Sequence, residues 1–248
     1  MAPIIQNMRS PLRVACIAVL LAAGQWACDQ QLGTPSPPFQ DTSVDVRPGA
    51  NSPVPSDSAN AAFRPEERIL VAFGDSLTAG FGVAPQETYP ARLQKKLTRS
   101  GYRYRVVNAG VSGDTTAGGV RRVDWVLKSK PDIVILELGA NDGLRGLDLK
   151  ETRANLTQII QRLRAADVKV VLAGMKLPPN YGADYTRAFQ SLYAELARQY
   201  DVSLIPFFLE GVAAKSGLNQ ADGIHPTGPG YAVVVDTIWP VLAPLLKK

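Results

Sequence analysis

The sequence predicts an α/β protein built on a five-stranded parallel sheet with helices on both faces. Two observations carry this. Five short apolar runs, each bounded by turn residues, recur beyond residue 67: Ile69–Phe73, Tyr104–Asn108, Ile133–Leu138, Val168–Ala173 and Val202–Pro206. They are nearly continuous in apolar character, as strands covered on both faces must be. Between them lie stretches of helical spacing, so strand and helix alternate through the domain, which is the pattern of a parallel sheet.

Taken in order, the first run is followed by Tyr89, Leu93 and Leu97, which mark a short amphipathic helix, and the second by Val120, Val123 and Leu127. After the third run, Leu156, Ile159, Ile160 and Leu163 fall at i, i+3, i+4 and i+7. After the fourth, Phe189, Leu192, Tyr193 and Leu196 repeat that spacing, which gathers apolar side chains on one helical face. A last helix carries Tyr231, Val234, Val235 and Ile238 and is expected to end before Pro240.

The first 66 residues have a different texture. Arg9 and Arg13 precede an apolar run from Val14 to Ala23, which is too short for a permanent membrane span and suits the core of an export signal. Residues 29–66 are rich in Pro, Ser, Asn, Asp, Gln and Thr without periodic apolar residues, and such a stretch buries too little surface to offset its ordering entropy. The expected division is therefore a signal at 1–28, a linker at 29–66 and one globular domain at 67–248. The chain has two cysteines, Cys16 and Cys28. Cys16 leaves with the signal, so no disulfide framework or zinc site is expected in the mature protein. Cys28 follows Ala27 at the end of the apolar segment and resembles the lipidated cysteine of bacterial lipoproteins, although Gln25 departs from that pattern. Plain cleavage after Gly24, with Ala22 as the matching small residue, stays open beside it.

The formal net charge is +5, of which Arg9 and Arg13 supply two. The remaining +3, without a dense basic run, gives no reason to expect a nucleic-acid partner.

Chemistry-bearing residues collect just after the strands, where open parallel sheets place their sites. Gly74-Asp75-Ser76-Leu77-Thr78-Ala79-Gly80 follows the first run and Gly110-Val111-Ser112-Gly113-Asp114-Thr115 the second. Gly139-Ala140-Asn141-Asp142 follows the third, Leu177 to Gly182 the fourth, and Asp222-Gly223-Ile224-His225-Pro226 lies some way after the fifth. His225 is the sole histidine. Asp222, three residues earlier, is close enough on a turn to accept the Nδ1 proton, which leaves Nε2 free to take a proton from a hydroxyl. One histidine without a second nitrogen ligand argues against a metal. Ser76 is the candidate hydroxyl; a serine is a poor nucleophile until a base accepts its proton. The bland alternative is that Asp75 or Ser76 caps the next helix. The flanking glycines permit a tight turn that exposes Oγ and directs backbone N–H groups toward a developing oxyanion. The segment lacks the Gly-Lys-Ser/Thr ending of a phosphate loop and the Gly-x-Ser-x-Gly of the α/β-hydrolase elbow. Gly110 offers an unobstructed N–H and Asn141 a neutral amide donor, against bland readings as turn glycine and helix cap. Asp114 or Thr115 is read as an N-cap.

These segments together resemble the blocks of the SGNH (GDSL) hydrolase family over about residues 69–246. The resemblance implies a three-layer, flavodoxin-like α/β/α fold. It assigns Ser76 as nucleophile, Asp222 and His225 as its partners, and Ser76 N–H, Gly110 and Asn141 as the oxyanion hole. Leu177, Pro178, Pro179, Asn180 and Tyr181 further resemble the substrate loop of the bacterial periplasmic thioesterase, lysophospholipase and arylesterase branch. The activity this likeness implies is that of a serine esterase acting on acyl esters or thioesters through an acyl-enzyme. Such an enzyme needs no cofactor, is expected to be a monomer, and is exported to the periplasm or tethered to the envelope through Cys28. A carbohydrate O-deacetylase of the same family uses the same residues, and a non-catalytic envelope lipoprotein on this fold is the remaining alternative.

Overall fold

The structure, a computed structural model, describes residues 67–248. The expected export signal, the linker and Cys28 lie outside the described residues. Five parallel strands, β1 (Arg68–Gly74), β2 (Tyr104–Gly110), β3 (Ile133–Glu137), β4 (Lys169–Ala173) and β5 (Ser203–Ile205), form one sheet in the order β2-β1-β3-β4-β5. The helices are α1 (Ser76–Ala79), α2 (Tyr89–Arg99), α3 (Thr116–Lys128), α4 (Ala140–Leu144), α5 (Leu149–Ala165), α6 (Ala183–Tyr200) and α7 (Gly228–Leu242).

The topology fixes the layers. The step from β1 to β2 runs one way across the sheet, and the steps to β3, β4 and β5 run the other way. Right-handed crossovers then put α2 on one face and α3, α5 and α6 on the other. The packing agrees, since α3 packs on α5 and α5 on α6, while α7 returns to pack on α2. This is the three-layer α/β/α arrangement expected of the chain. The reversal of strand order falls between β1 and β3, where open sheets of this kind leave a crevice at their carboxyl ends.

Burial explains why some strands are easier to read from sequence than others. β3 and most of β1 and β4 are buried on both faces, which accounts for their unbroken apolar runs. β2 is an edge strand, and its Arg105 and Asn108 are exposed. The helix starts are set by side chains: Thr88 accepts the Ala91 N–H, Asp148 the Lys150 N–H and Thr227 the Gly230 N–H. One expectation is corrected in detail, and one left open between two residues is resolved. Pro240 lies inside α7, which runs on to Leu242; Pro240 and Asp236, whose carbonyl loses its helical donor, are both on the exposed side, where water can serve it. Thr115, not Asp114, caps α3 by accepting the Gly118 N–H. The short α1 and α4 carry no periodic signal and are not foreseen by the apolar pattern.

Candidate active site

β1 ends at Gly74 and the chain turns at once into α1. Asp75 caps that helix, its Oδ1 accepting the Leu77 N–H at 3.0 Å. Ser76 is the first helical residue, so its own N–H has no acceptor within the helix. Gly80, at φ 83°, ends the helix after one turn and donates to the Ser76 carbonyl at 3.0 Å. Glycine is needed at 74 for space: a Cβ there would lie 2.0 Å from Thr78 Oγ1 and 2.4 Å from Glu137 Oε2. Cap and hydroxyl thus fall on neighbouring residues, with Asp75 tied into the helix and Ser76 Oγ left for His225.

His225 Nε2 lies 2.8 Å from Ser76 Oγ, and Nδ1 lies 2.6 Å from Asp222 Oδ2. Asp222 Oδ1 also accepts the backbone N–H groups of Ile224 at 2.9 Å and His225 at 3.0 Å. One carboxylate therefore fixes both the backbone and the ring of the histidine. Burial pushes the Asp222 pKa up, but the two backbone donors and the imidazole outweigh it and hold the carboxyl down at about 2. With Asp222 anionic and Nδ1–H donating to it, Nε2 keeps a lone pair directed at the serine hydroxyl. The loop is closed by an antiparallel bridge between Asn219 and Pro226 and by the Gln220 N–H to the His225 carbonyl at 2.8 Å. Gln220 Nε2 donates to the Phe81 carbonyl at 2.7 Å, joining this loop to the turn after α1. The Phe81 ring, 52 % exposed, lies 4.8 Å from the imidazole. Nothing in the sequence points to Gln220, because its partner lies 139 residues away and no spacing encodes the contact.

Gly110 and Asn141 arrive at the same sheet edge. Gly110 pairs in register with Gly74 at the end of β1. A Cβ on Gly110 would lie 2.1 Å from the Ala79 N, so only glycine lets β2 close against α1. Asn141 is in the first turn of α4, and Gly139 at φ 111° takes the capping position instead. Both donors are occupied. Gly110 N–H donates to Asn108 Oδ1 at 2.9 Å. Asn141 Nδ2 donates to Asp75 Oδ2 at 3.0 Å and to the Asp114 carbonyl at 2.9 Å. Asn108 is a second residue that the sequence does not single out.

Beneath Ser76 lie two carboxyl groups. Asp75 is 1 % exposed and Glu137, the last residue of β3, is 0 % exposed. Glu137 Oε2 accepts Thr78 Oγ1 at 2.7 Å and the Asp75 N–H at 3.3 Å. Burial pushes the Asp75 carboxyl up to about 6 against the opposing hydrogen bond from Leu77. Burial and the neighbouring Asp75 charge raise Glu137 well above the ordinary carboxylate range.

The expected substrate loop lies beside α4. Pro179–Tyr181 form a single 3-10 turn, Pro178, Pro179 and Asn180 are exposed, and Tyr181 Oη donates to the Leu144 carbonyl at 2.9 Å. Leu177 comes close to Gly143, where an added Cβ would lie 2.8 Å from its Cδ2. The loop therefore borders the helix that carries Asn141, and no hydrogen bond among the described residues joins it to Ser76 or His225.

Residues 72–233 match the GDSL-like Lipase/Acylhydrolase family. The chain is 47 % identical over 180 residues to the Esterase TesA of Pseudomonas aeruginosa, covering 72 % of this chain and 90 % of the relative. It is 40 % identical over 179 residues to the Thioesterase 1/protease 1/lysophospholipase L1 of Escherichia coli K12, covering 72 % of this chain and 85 % of that one. The crystal structure of TesA superposes with a TM-score of 0.70 at 46 % identity, over 72 % of this chain and 100 % of that chain.

Proposed function

The chain belongs to the GDSL-like lipase/acylhydrolase family, and from that premise we propose that it cleaves acyl esters and thioesters through an acyl-enzyme on Ser76. It is a hydrolase of ester type that acts on small-molecule esters. The finer assignment rests above all on one observation, the unbroken relay from Ser76 Oγ through His225 to Asp222, with contacts of 2.8 and 2.6 Å.

In this mechanism Ser76 Oγ attacks the acyl carbonyl while its proton passes to His225 Nε2. Asp222 holds the resulting imidazolium. The negative charge that forms on the carbonyl oxygen meets the N–H groups of Ser76 and Gly110 and the Asn141 amide. To do so it takes over the Gly110 N–H from the neutral Asn108 amide and one Asn141 Nδ2 hydrogen from the neutral Asp114 carbonyl, leaving the other on Asp75; an anionic acceptor competes well against neutral ones. When the carbon–oxygen or carbon–sulfur bond breaks, His225 gives its proton to the leaving alcohol or thiol. Water then adds to the acyl-enzyme with His225 again as base, releasing the acid and restoring the Ser76 hydroxyl.

The acyl ester and thioester range is supported by the esterase, thioesterase and lysophospholipase activities for which the relatives are named. Residues 67–248 form the hydrolase unit, and every group in the mechanism comes from one chain, in keeping with a monomer. Export rests on the Arg9, Arg13 and Val14–Ala23 pattern, and envelope tethering on Cys28 ahead of the polar segment 29–66. The intact mass of the mature N-terminus distinguishes lipidation at Cys28 from cleavage after Gly24.

The direct test is a panel of aryl esters and acyl thioesters of graded chain length, with covalent labelling by a fluorophosphonate probe. Ser76→Ala is expected to lose the label and to lower kcat by about 10⁴-fold or more. Full hydrolysis by Ser76→Ala overturns the mechanism.

A further inference from the structure

Arg122 stands in the second turn of α3 and takes no part in the steps of the proposed reaction. Its side chain is 18 % exposed, and all three guanidinium nitrogens are engaged on different segments. Nη2 donates to the Gly74 carbonyl at 2.6 Å, Nη1 to the Ala109 carbonyl at 2.6 Å and Nε to Asp114 Oδ2 at 2.6 Å. The guanidinium carbon lies 4.5 Å from the centre of the Phe73 ring, so the cation also rests on the aromatic residue that precedes Gly74.

Each partner borders a different group of the site. Gly74 is two residues before Ser76, and Ala109 immediately precedes Gly110. Asp114, which the guanidinium holds by its side chain, presents its backbone carbonyl to Asn141 Nδ2 at 2.9 Å. Gly74 and Gly110 are also the last paired residues of β1 and β2. Just beyond them one further backbone hydrogen bond, from the Val111 N–H to the Gly74 carbonyl at 3.1 Å, joins the two strand ends, and Arg122 adds Ala109 and Asp114 to that tie. Solvent can satisfy strand-end carbonyls, but it cannot set the distance between them. A planar guanidinium with donors in a rigid fork does both, and a single ammonium cannot. An arginine present only to pair with Asp114 would need Nε alone.

We propose that Arg122 is a positioning residue for the hydrolysis: by clamping Gly74, Ala109 and Asp114 it sets the spacing between Ser76 Oγ and the oxyanion donors Gly110 and Asn141. The inference rests on the reading of those three residues as the reacting machinery. It also explains how a backbone donor at a strand end and a side-chain donor from a separate helix are held to the sub-ångström precision that such sites require.

The experiment measures kcat and KM for 4-nitrophenyl butyrate in the wild type, Arg122→Ala, Arg122→Lys and Ser76→Ala. Each is assayed with and without methylguanidinium, and kcat is expressed per folded enzyme. Arg122→Ala is expected to lower kcat about 10²-fold, the scale of a 1 Å misplacement, with KM changed by less than about threefold. Methylguanidinium at tens of millimolar is expected to recover about tenfold of that loss, and Arg122→Lys to stay well below the wild type. A kcat per folded enzyme equal to the wild type in Arg122→Ala overturns the clamp, and so does a loss that methylguanidinium leaves unchanged. If Arg122→Ala does not fold, Arg122→Lys decides, and a wild-type kcat there overturns the clamp. Hydrolysis that survives Ser76→Ala overturns the underlying mechanism instead. An inactive Ser76→Ala beside a fully active Arg122→Ala overturns the clamp alone.

Discussion

Around Ser76 the fixing contacts come from far along the chain, whereas around His225 most come from within a few residues. Asn141 reaches Asp75 across 66 residues, Thr78 reaches Glu137 across 59 and Arg122 reaches Gly74 across 48. On the other side, Asp222 binds the Ile224 N–H, the His225 N–H and the imidazole within a four-residue turn. The two sides also differ in burial, since Asp75 is 1 % exposed and the Asp222 side chain 37 %. The serine side is part of the core and the histidine side is a self-contained loop laid over it, tied down through Gln220 and Phe81. Damage to the loop should therefore cost activity and little stability, and damage to the serine side should cost both.

The largest expected effect tests the loop. Asp222→Asn removes the anion that selects the Nδ1–H tautomer, and kcat is expected to fall by about 10⁴-fold, as when the corresponding aspartate of a serine protease is amidated. Its melting temperature is expected to fall only modestly, because the asparagine oxygen can still accept the Ile224 and His225 N–H groups and the replaced group is partly exposed, so only the share of stability that comes from the anion is lost. A mild loss of kcat breaks the comparison, since it means that something other than this turn orients His225.

A smaller loss of rate, joined to a loss of stability, is expected on the serine side. Asn141→Ala removes one of the proposed oxyanion donors, and kcat is expected to fall by about 10²- to 10³-fold. It also strips the buried Asp75 Oδ2 of its hydrogen-bond partner, which is expected to cost about 1–3 kcal/mol in urea unfolding. A variant that lost rate at undiminished stability would show that Asp75 finds another partner.

The smallest effect concerns pH and the buried carboxyl. Folded Asp75 keeps its proton up to about pH 6, whereas its ordinary value is 3.8. Between those values the folded chain binds more protons than the unfolded one, so this group lowers stability as pH rises through the window. Asp75→Asn can still cap α1 but has no proton to lose. Urea unfolding across that window is expected to give a flatter slope for the variant than for the wild type. Asp222 acts in the opposite direction and lower down: its depressed pKa contributes stability above the ordinary value, lost as pH falls toward about 2.

The same contrast separates what is legible in the sequence from what is not. The five strands and five long helices follow from apolar periodicity, because hydrophobic burial writes itself into spacing along the chain. Short elements such as α1 and α4 leave no such trace; they are shaped by strand ends and positive-φ glycines such as Gly80 and Gly139. The pairing of Asp222 with His225 is readable from their separation of three residues, since a turn brings such neighbours together whatever the fold.

By itself, then, the sequence determined the α/β class, the parallel sheet and the types of residue that gather after its strands. Only the tertiary structure decided that Asn141 is already hydrogen-bonded to Asp75 and Asp114, that Glu137 is buried beside Asp75, and that Arg122 joins three segments of the site. The physical reason is that these contacts join residues brought together by the strand order β2-β1-β3. A hydrogen bond spanning dozens of residues has no period, and it exists only once the sheet has placed its two ends side by side.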